Sequence, residues 1–257
     1  MFRHDSMHCK LKEIKEKAWL GRMQPVRILE NVYFVGTYQA SCHLIDTGDG
    51  LIMIDPGYIR TACYVIDSIY KLGFKPEDIK YIINTHWHGD HTEATADFAN
   101  LFGAKTLLGI YDVEKAAKYF TPDITVCDGD KLTLGNTTVE FMHTPGHTKG
   151  TISPFFNTTH NGRVYRVGMF GGAGLNTLVP EKYDFDNPRE AYFASIERLK
   201  REKVDVFIGN HTWNNDTYNK SLKLLKTGEN EFIDSTLWQR FLESCEARLC
   251  ELIKKEA

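Results

Sequence analysis

The sequence predicts a single α+β domain in which two β-rich layers pack on each other with helices outside. Three observations predict it. Four short apolar runs separated by turn residues open the chain, strand-like and helix-like stretches then alternate, and a second β-rich block precedes a final helical segment. A chain of 257 residues can bury one sizeable core, and no linker-like stretch divides it, so one domain is expected over residues 1–257.

Residues 9–20 are expected to form a short helix. VRILE, VYFVG, ASCHLIDT and GLIMIDP read as strands of a β-meander, with Glu30-Asn31 and Thr47-Gly48-Asp49-Gly50 supplying turns. A helical stretch over roughly 59–72 leads to KYIINTH, an apolar β-rich run, and TEATADFANLF forms the next helix. The order then repeats with AKTLLGI, a helix near 111–119, and strands near ITVCD, KLTLG and TTVEFMHT. Strands near TISPFF and GRVYRVGMF follow, then a helix from about 188 to 202 and the strand VDVFIG, which ends at Asn210-His211. Over 231–254, Leu237, Trp238, Phe241, Leu242, Cys245, Leu249 and Ile253 fall on one helical stripe. That pattern predicts a last helix docked on its own domain, with a homodimer contact through the helix as the alternative.

Composition narrows the function classes. With 42% hydrophobic and 25% charged residues the chain is that of a globular enzyme rather than a disordered tail. A formal charge of -3 without runs of like charge argues against nucleic acid or an anionic membrane as partners, leaving a small-molecule substrate. No apolar stretch reaches the roughly 18 residues of a membrane span. The first 30 residues carry charges throughout and no apolar leader core, so the expected location is the cytoplasm, or the periplasm or exterior where a leader has been removed. Six scattered cysteines without a CxxC pair read as reduced, mostly buried thiols.

The chemistry concentrates in Thr85-His86-Trp87-His88-Gly89-Asp90-His91, directly after a predicted strand. In an extended segment alternate side chains share a side, so His86 and His88 can hold one metal ion. Asp90 and His91 sit where the chain turns into a helix and can reach a neighbouring ion. Imidazole nitrogen with a carboxylate oxygen suits zinc, and a catalytic zinc site keeps a position open for water. His147 follows a strand between Gly146 and Gly150, which let the backbone turn tightly. His211 ends a strand expected to be buried. His143 is expected to be a structural strand residue, and His4, His8, His43 and His160 are given no role.

HWHGDH fits the HxHxDH signature of the metallo-β-lactamase superfamily, and the likeness extends over residues 26–211. Asp55-Pro56-Gly57 resembles that family's early strand-ending turn, Thr144-Pro145-Gly146-His147-Thr148-Lys149-Gly150 its third histidine loop, and Asn210-His211 its last ligand position. The resemblance implies a four-layer αββα sandwich and two Zn²⁺ ions, one on His86, His88 and His147, the other on Asp90, His91 and His211. Asp55 is expected behind a ligand histidine, accepting its free N–H.

Many superfamily members place a bridging aspartate after the next long strand. Here that strand runs into Phe170-Gly171-Gly172-Ala173-Gly174-Leu175, with no carboxylate and no metal-binding cysteine. The six-ligand set is similar to that of the third subclass of metallo-β-lactamases. So are the stretches GRMQPVRILENVYFVGTYQASCHLI and DGDKLTLGNTTVEFMHTPGHTKGTI. Ala173 and Gly174 stand where that subclass usually has a small polar residue near the second metal, and Asp184 or Asp186 is the remaining candidate to reach the ions. The resemblance implies β-lactam hydrolysis, and hence antibiotic resistance, by attack of a metal-activated hydroxide that Asp90 orients. Trp87, Asn176, Thr177, Tyr183 and Trp213 are candidate pocket residues. The rivals are a cytoplasmic hydrolase of another ester, lactone or thioester, a di-iron redox protein, against which His88 speaks, and a metal-holding module without turnover.

Overall fold

The computed structural model describes residues 10–256. It opens with α1 (Leu11–Glu16) and a 3-10 turn over Ala18–Gly21, shorter and more broken than the expected helix over 9–20, whose first residue lies outside the described residues. The strands β1 (Val26–Leu29), β2 (Val32–Phe34), β3 (His43–Asp46) and β4 (Leu51–Ile54) form the antiparallel meander. Helix α2 (Ala62–Lys71) then returns the chain so that β5 (Ile79–Asn84) pairs parallel to β4. The short α3 (Gly89–Thr92) and α4 (Thr95–Phe102) precede β6 (Lys105–Gly109), and α5 (Val113–Ala116) precedes β7 (Ile124–Val126), both strands again parallel. The expected helix near 111–119 is thus a 3-10 turn plus four α-helical residues. Together these strands make one seven-stranded sheet in sequence order.

The second sheet is five-stranded: β8 (Lys131–Leu134), β9 (Thr137–His143), β10 (Ile152–His160) and β11 (Arg163–Gly168) run antiparallel, and β12 (Val206–Phe207) closes the edge parallel to β11. Between β11 and β12 lies α6 (Pro188–Leu199); α7 (Thr217–Thr227) and α8 (Leu237–Glu256) end the chain.

Period-two alternation explains how the layers stack. Ile52 and Ile54 of β4 face the core between the sheets with Ile83, Phe141, Phe156, Val167 and Val206. Leu51 and Met53 of the same strand face outward onto Val65, Ile69 and Phe98 of α2 and α4. On the other side Phe155 and Phe207 pack outward against Tyr192 and Ile196 of α6 and Trp238, Leu242, Cys245 and Leu249 of α8. The order is helices, sheet, sheet, helices, the expected αββα sandwich. The central parallel strands are buried on both faces, which is why LIMI reads as a continuous apolar run.

α8 begins at Leu237, six residues later than the expected start at 231, because Asp234 accepts hydrogen bonds from the backbone and hydroxyl of Thr236 in a turn just before it. Its stripe is occupied by its own domain, and Trp238 donates its ring N–H to Leu199 O at 3.0 Å. Each such fully buried large side chain contributes roughly 1.5–3 kcal/mol. The cysteines differ from expectation: all five described are free, but only Cys42 and Cys245 are buried, while Cys63, Cys127 and Cys250 are exposed. No helix among the described residues is long and apolar enough to cross a membrane.

Candidate metal centre

The fold gathers four loops at one edge of the two sheets. β5 ends at Asn84, and the chain passes through Thr85–His88 into α3, whose N-terminal cap is His88. The turn between β9 and β10 carries His147. The loop after β11 supplies Gly171–Gly174, and the segment after β12 supplies His211, anchored by a backbone bridge to Ala40. Gly146 is needed for this approach: its φ is +145°, and a Cβ there would lie 2.6 Å from the Tyr192 Cβ.

Two groups of donors result. The ligand atoms of His86, His88 and His147 lie within 4.8 Å of one another, as do those of Asp90, His91 and His211. In the first group His88 Nδ1 and His147 Nε2 are 3.0 Å apart, and the His86 and His88 rings stand nearly perpendicular. In the second, Asp90 Oδ2 lies 3.6 Å from His91 Nε2 and 3.7 Å from His211 Nε2. The two groups adjoin, with the His86 and His91 ring centroids 4.3 Å apart. All six residues singled out in the sequence are therefore brought together.

In four of the five histidines the ring nitrogen pointing away from the convergence is held. Asp55, fully buried and itself in a left-handed conformation at φ 52°, accepts the His91 Nδ1–H at 2.8 Å. It also accepts the Thr85 amide and hydroxyl, both at 2.8 Å. Because the Thr85 hydroxyl donates to Asp55, its oxygen accepts from His86 Nδ1 at 3.1 Å. One carboxylate thus fixes the tautomer of a histidine in each group. His147 Nδ1–H points to Gly174 O at 2.9 Å, and His211 Nδ1–H to Gln39 O at 3.2 Å. The inward Nε2 atoms of His86 and His91 are buried without a hydrogen-bond partner. Orphaned buried nitrogens converging with a carboxylate oxygen are what a divalent metal would satisfy, and the donor set suits zinc.

The electrostatics favour ligand-ready protonation states. Burial, then the neighbouring imidazoles, pushes His86 well below its ordinary value and His88 down to about 3. Burial takes His147 and His211 to about 4. Burial also works against a charge on His91, but the Asp90 and Asp55 carboxylates outweigh it and raise this ring. For Asp90 burial would raise the pKa, yet the surrounding imidazoles hold it at about 2. At neutral pH Asp90 is therefore an anion and His86, His88, His147 and His211 are neutral, the forms that bind metal, whereas the two carboxylates favour a proton on His91 that a bound metal would displace.

The other sequence-predicted residues divide. Trp87 packs on His88 with ring centroids 4.4 Å apart, and Trp213, half-exposed, stacks flat on His211 at 4.4 Å. Thr177 donates to His147 O at 2.7 Å and so supports a donor loop, while Asn176 is exposed beside Gly174. Tyr183 instead packs under the Arg189 guanidinium in a surface pocket with Asp184 and Asp186. Neither of those aspartates is among the converging donors; Asp184 lies near Trp87, Lys115 and Lys149. Ala173 is packed in the core with Phe170 and Tyr192 rather than facing the donors. A Cβ on Gly172 would lie 2.9 Å from the His147 Cβ, which leaves little room for a bridging carboxylate there. His143 is the last residue of β9 and its ring bonds Lys149 O at 2.7 Å, whereas His43 is buried against Gly209 O at 3.2 Å, just before His211.

Sequence reasoning missed Gln39, Tyr58 and Asp112. Gln39 holds His211 through its backbone and donates its side-chain amide to Tyr58 Oη at 3.2 Å. Burial, with Asp90 adding to it, pushes the Tyr58 hydroxyl up to about 12, so it stays protonated at the rim. Asp112 joins the loop of His86 and His88 to the loop of His147 through the Trp87 and Gly150 amides. Interactions made through the main chain leave no residue-type signal to find.

Comparison with known proteins agrees with this geometry. By structure the chain is similar to the metallo-beta-lactamase FEZ-1 of Legionella gormanii, with 29% identity, coverage of 91% of this chain and 97% of that one, and a TM-score of 0.85. It is equally similar to BJP-1, a subclass B3 metallo-beta-lactamase of Bradyrhizobium japonicum, with 28% identity, coverage of 93% and 97%, and a TM-score of 0.85. By sequence it is 26% identical over 203 residues to an N-acyl homoserine lactonase of Bacillus cereus, covering 65% of this chain and 79% of the relative. The family model of the metallo-beta-lactamase superfamily matches residues 35–211, from the residue after β2 through the last histidine, and the chain belongs to that superfamily as a metal-dependent hydrolase.

Proposed function

We propose that the protein is a binuclear zinc hydrolase whose substrate is a β-lactam amide. The observation that carries this reading is the pair of three-donor groups, one of three imidazoles and one of Asp90, His91 and His211, beside a Gly171–Gly174 loop without a carboxylate. The likeness to the subclass B3 enzyme BJP-1 over 93% of the chain supports it. His86, His88 and His147 would hold one ion, and Asp90, His91 and His211 the other. Such ions supply a nucleophile from water at neutral pH and polarise a carbonyl oxygen.

The chain's own residues do the rest. Asp90, ionised at neutral pH, accepts a hydrogen bond from the attacking water and orients it. Asp55, Thr85, Gly174 O and Gln39 O keep the rings of His91, His86, His147 and His211 from rotating, so these donors are in place before substrate arrives. The Trp87 and Trp213 rings flank the centre and offer apolar walls to a ring-shaped substrate. The Tyr58 hydroxyl, protonated at neutral pH, is a hydrogen-bond donor at the rim.

A lactone, ester or thioester substrate is the second reading, favoured by the lactonase relative. Zinc-loaded protein assayed against penicillins, cephalosporins and carbapenems, and in parallel against acyl-homoserine lactones, tests the two. Turnover of any β-lactam well above that of the lactones supports the first reading, and hydrolysis confined to lactones replaces it with the second.

A further inference from the structure

We propose that Asp112 is a positioning residue that clamps the loop carrying His86 and His88 to the loop carrying His147, and so sets the donor spacing of the three-histidine site. This rests on the reading of those imidazoles as metal donors. Asp112 follows β6 and contributes no donor atom, yet its carboxylate is 1% exposed and bonded on both oxygens. Oδ1 accepts the Gly150 amide at 2.6 Å. Oδ2 accepts the Trp87 amide at 3.1 Å and the Thr148 hydroxyl at 2.7 Å.

These partners are placed for a spacing role. Trp87 is the residue between His86 and His88, so holding its N–H fixes the peptide from which both rings depart. Thr148 follows His147 directly, and its hydroxyl also lies 2.8 Å from that of Thr151, closing the turn. The contact is too tight for larger residues: a Cβ on Gly150 would lie 2.4 Å from the Asp112 nitrogen, and one on Gly109 would lie 2.1 Å from Gly150 O. All three donors are neutral, so the carboxylate is buried without a bonded cation. Such burial is unfavourable unless its hydrogen bonds are all made, and here two separate loops must be in register to make them.

The test is Asp112→Asn, which keeps the shape but turns an amide N–H₂ toward either the Gly150 or the Trp87 N–H. Zinc affinity is measured by chelator competition on metal-free protein, in the wild type and in a His211→Ala background that isolates the three-histidine site. Visible absorption of the Co²⁺-loaded proteins reports the donor geometry. The expected result is a roughly 10–100-fold weaker three-histidine site with a shifted Co²⁺ spectrum, while the Asp90, His91 and His211 site keeps its affinity. A variant with unchanged affinity and spectrum that is only less stable to heat overturns the proposal, as does an equal loss at both sites. If Asp112→Asn does not fold, Thr148→Val removes one bond and keeps the carboxylate. The same selective but smaller loss is expected, and no loss overturns the proposal. Wild-type protein that binds no zinc would instead defeat the reading of the donors themselves, and that is judged without any variant.

Discussion

Replacing Asp55 by Asn perturbs the centre without removing a donor atom. The carboxylate accepts three hydrogen bonds, from the Thr85 amide on Oδ1 and from the Thr85 hydroxyl and His91 Nδ1 on Oδ2. An amide has one acceptor oxygen. If it takes the Oδ1 place, the N–H₂ faces the His91 N–H; if it takes the Oδ2 place, the N–H₂ faces the Thr85 N–H. Either way one fully buried donor is left unsatisfied, at about 1–3 kcal/mol of fold stability. The imidazoles lose their shared acceptor as well, directly at His91 and through Thr85 at His86. Loss of such a partner weakens metal binding by roughly 10–100-fold, or about 1.4–2.8 kcal/mol. Because the network reaches a histidine in each group, both ions should bind more weakly, unlike the one-sided loss expected of Asp112→Asn. Chelator-competition titration with zinc, alongside denaturant unfolding of the metal-free protein, measures both effects. Wild-type affinity at both sites in folded Asp55→Asn protein would refute the reasoning.

His211→Ala should reduce bound zinc from two ions per chain to one, read by elemental analysis after dialysis; retention of two would mean that His211 is not a donor. Gly172→Ala places a Cβ 2.9 Å from that of His147 and from Thr151, so it should cost roughly 1–3 kcal/mol of stability and displace His147; an unchanged unfolding midpoint and zinc affinity would contradict the packing. His43 gives a pH signature in metal-free protein. Burial lowers its pKa from 6.5 to about 4, so the folded state disfavours its protonation and stability falls as pH drops from about 6.5 toward 4. At about 1.4 kcal/mol per unit this one ring accounts for about 3 kcal/mol of that fall. Urea midpoints of His43→Leu protein across that range should show a correspondingly shallower acid limb, and a limb as steep as the wild type's would count against it.

The parts of this protein that were legible in the sequence are those whose signal is local. His86, His88, Asp90 and His91 sit within six positions, so their convergence needs only one strand end and one short helix. The stripe through Trp238, Leu242, Cys245 and Leu249 gave the docking face of α8 from periodicity alone. The same phase, followed strictly, leaves Cys250 off the stripe and exposed, which a general preference of thiols for burial obscured. Asp112, by contrast, acts on main-chain groups 25 and 38 residues away, and Gln39 on a ring 172 residues away. Backbone acceptors carry no residue-type signature, and loop-to-loop register is set by tertiary packing. The boundaries of α1, α5 and α8 differ from the pattern's expectation for a related reason, since turns and 3-10 segments compete at helix ends where side-chain pattern is weak.

The most direct test is a crystal structure of the zinc-loaded protein with anomalous scattering recorded at the zinc edge. Two ions per chain are predicted, one on His86 Nε2, His88 Nδ1 and His147 Nε2, the other on Asp90 Oδ2, His91 Nε2 and His211 Nε2. A single ion, or a second ion held by Asp184 or another residue outside these six, would contradict it.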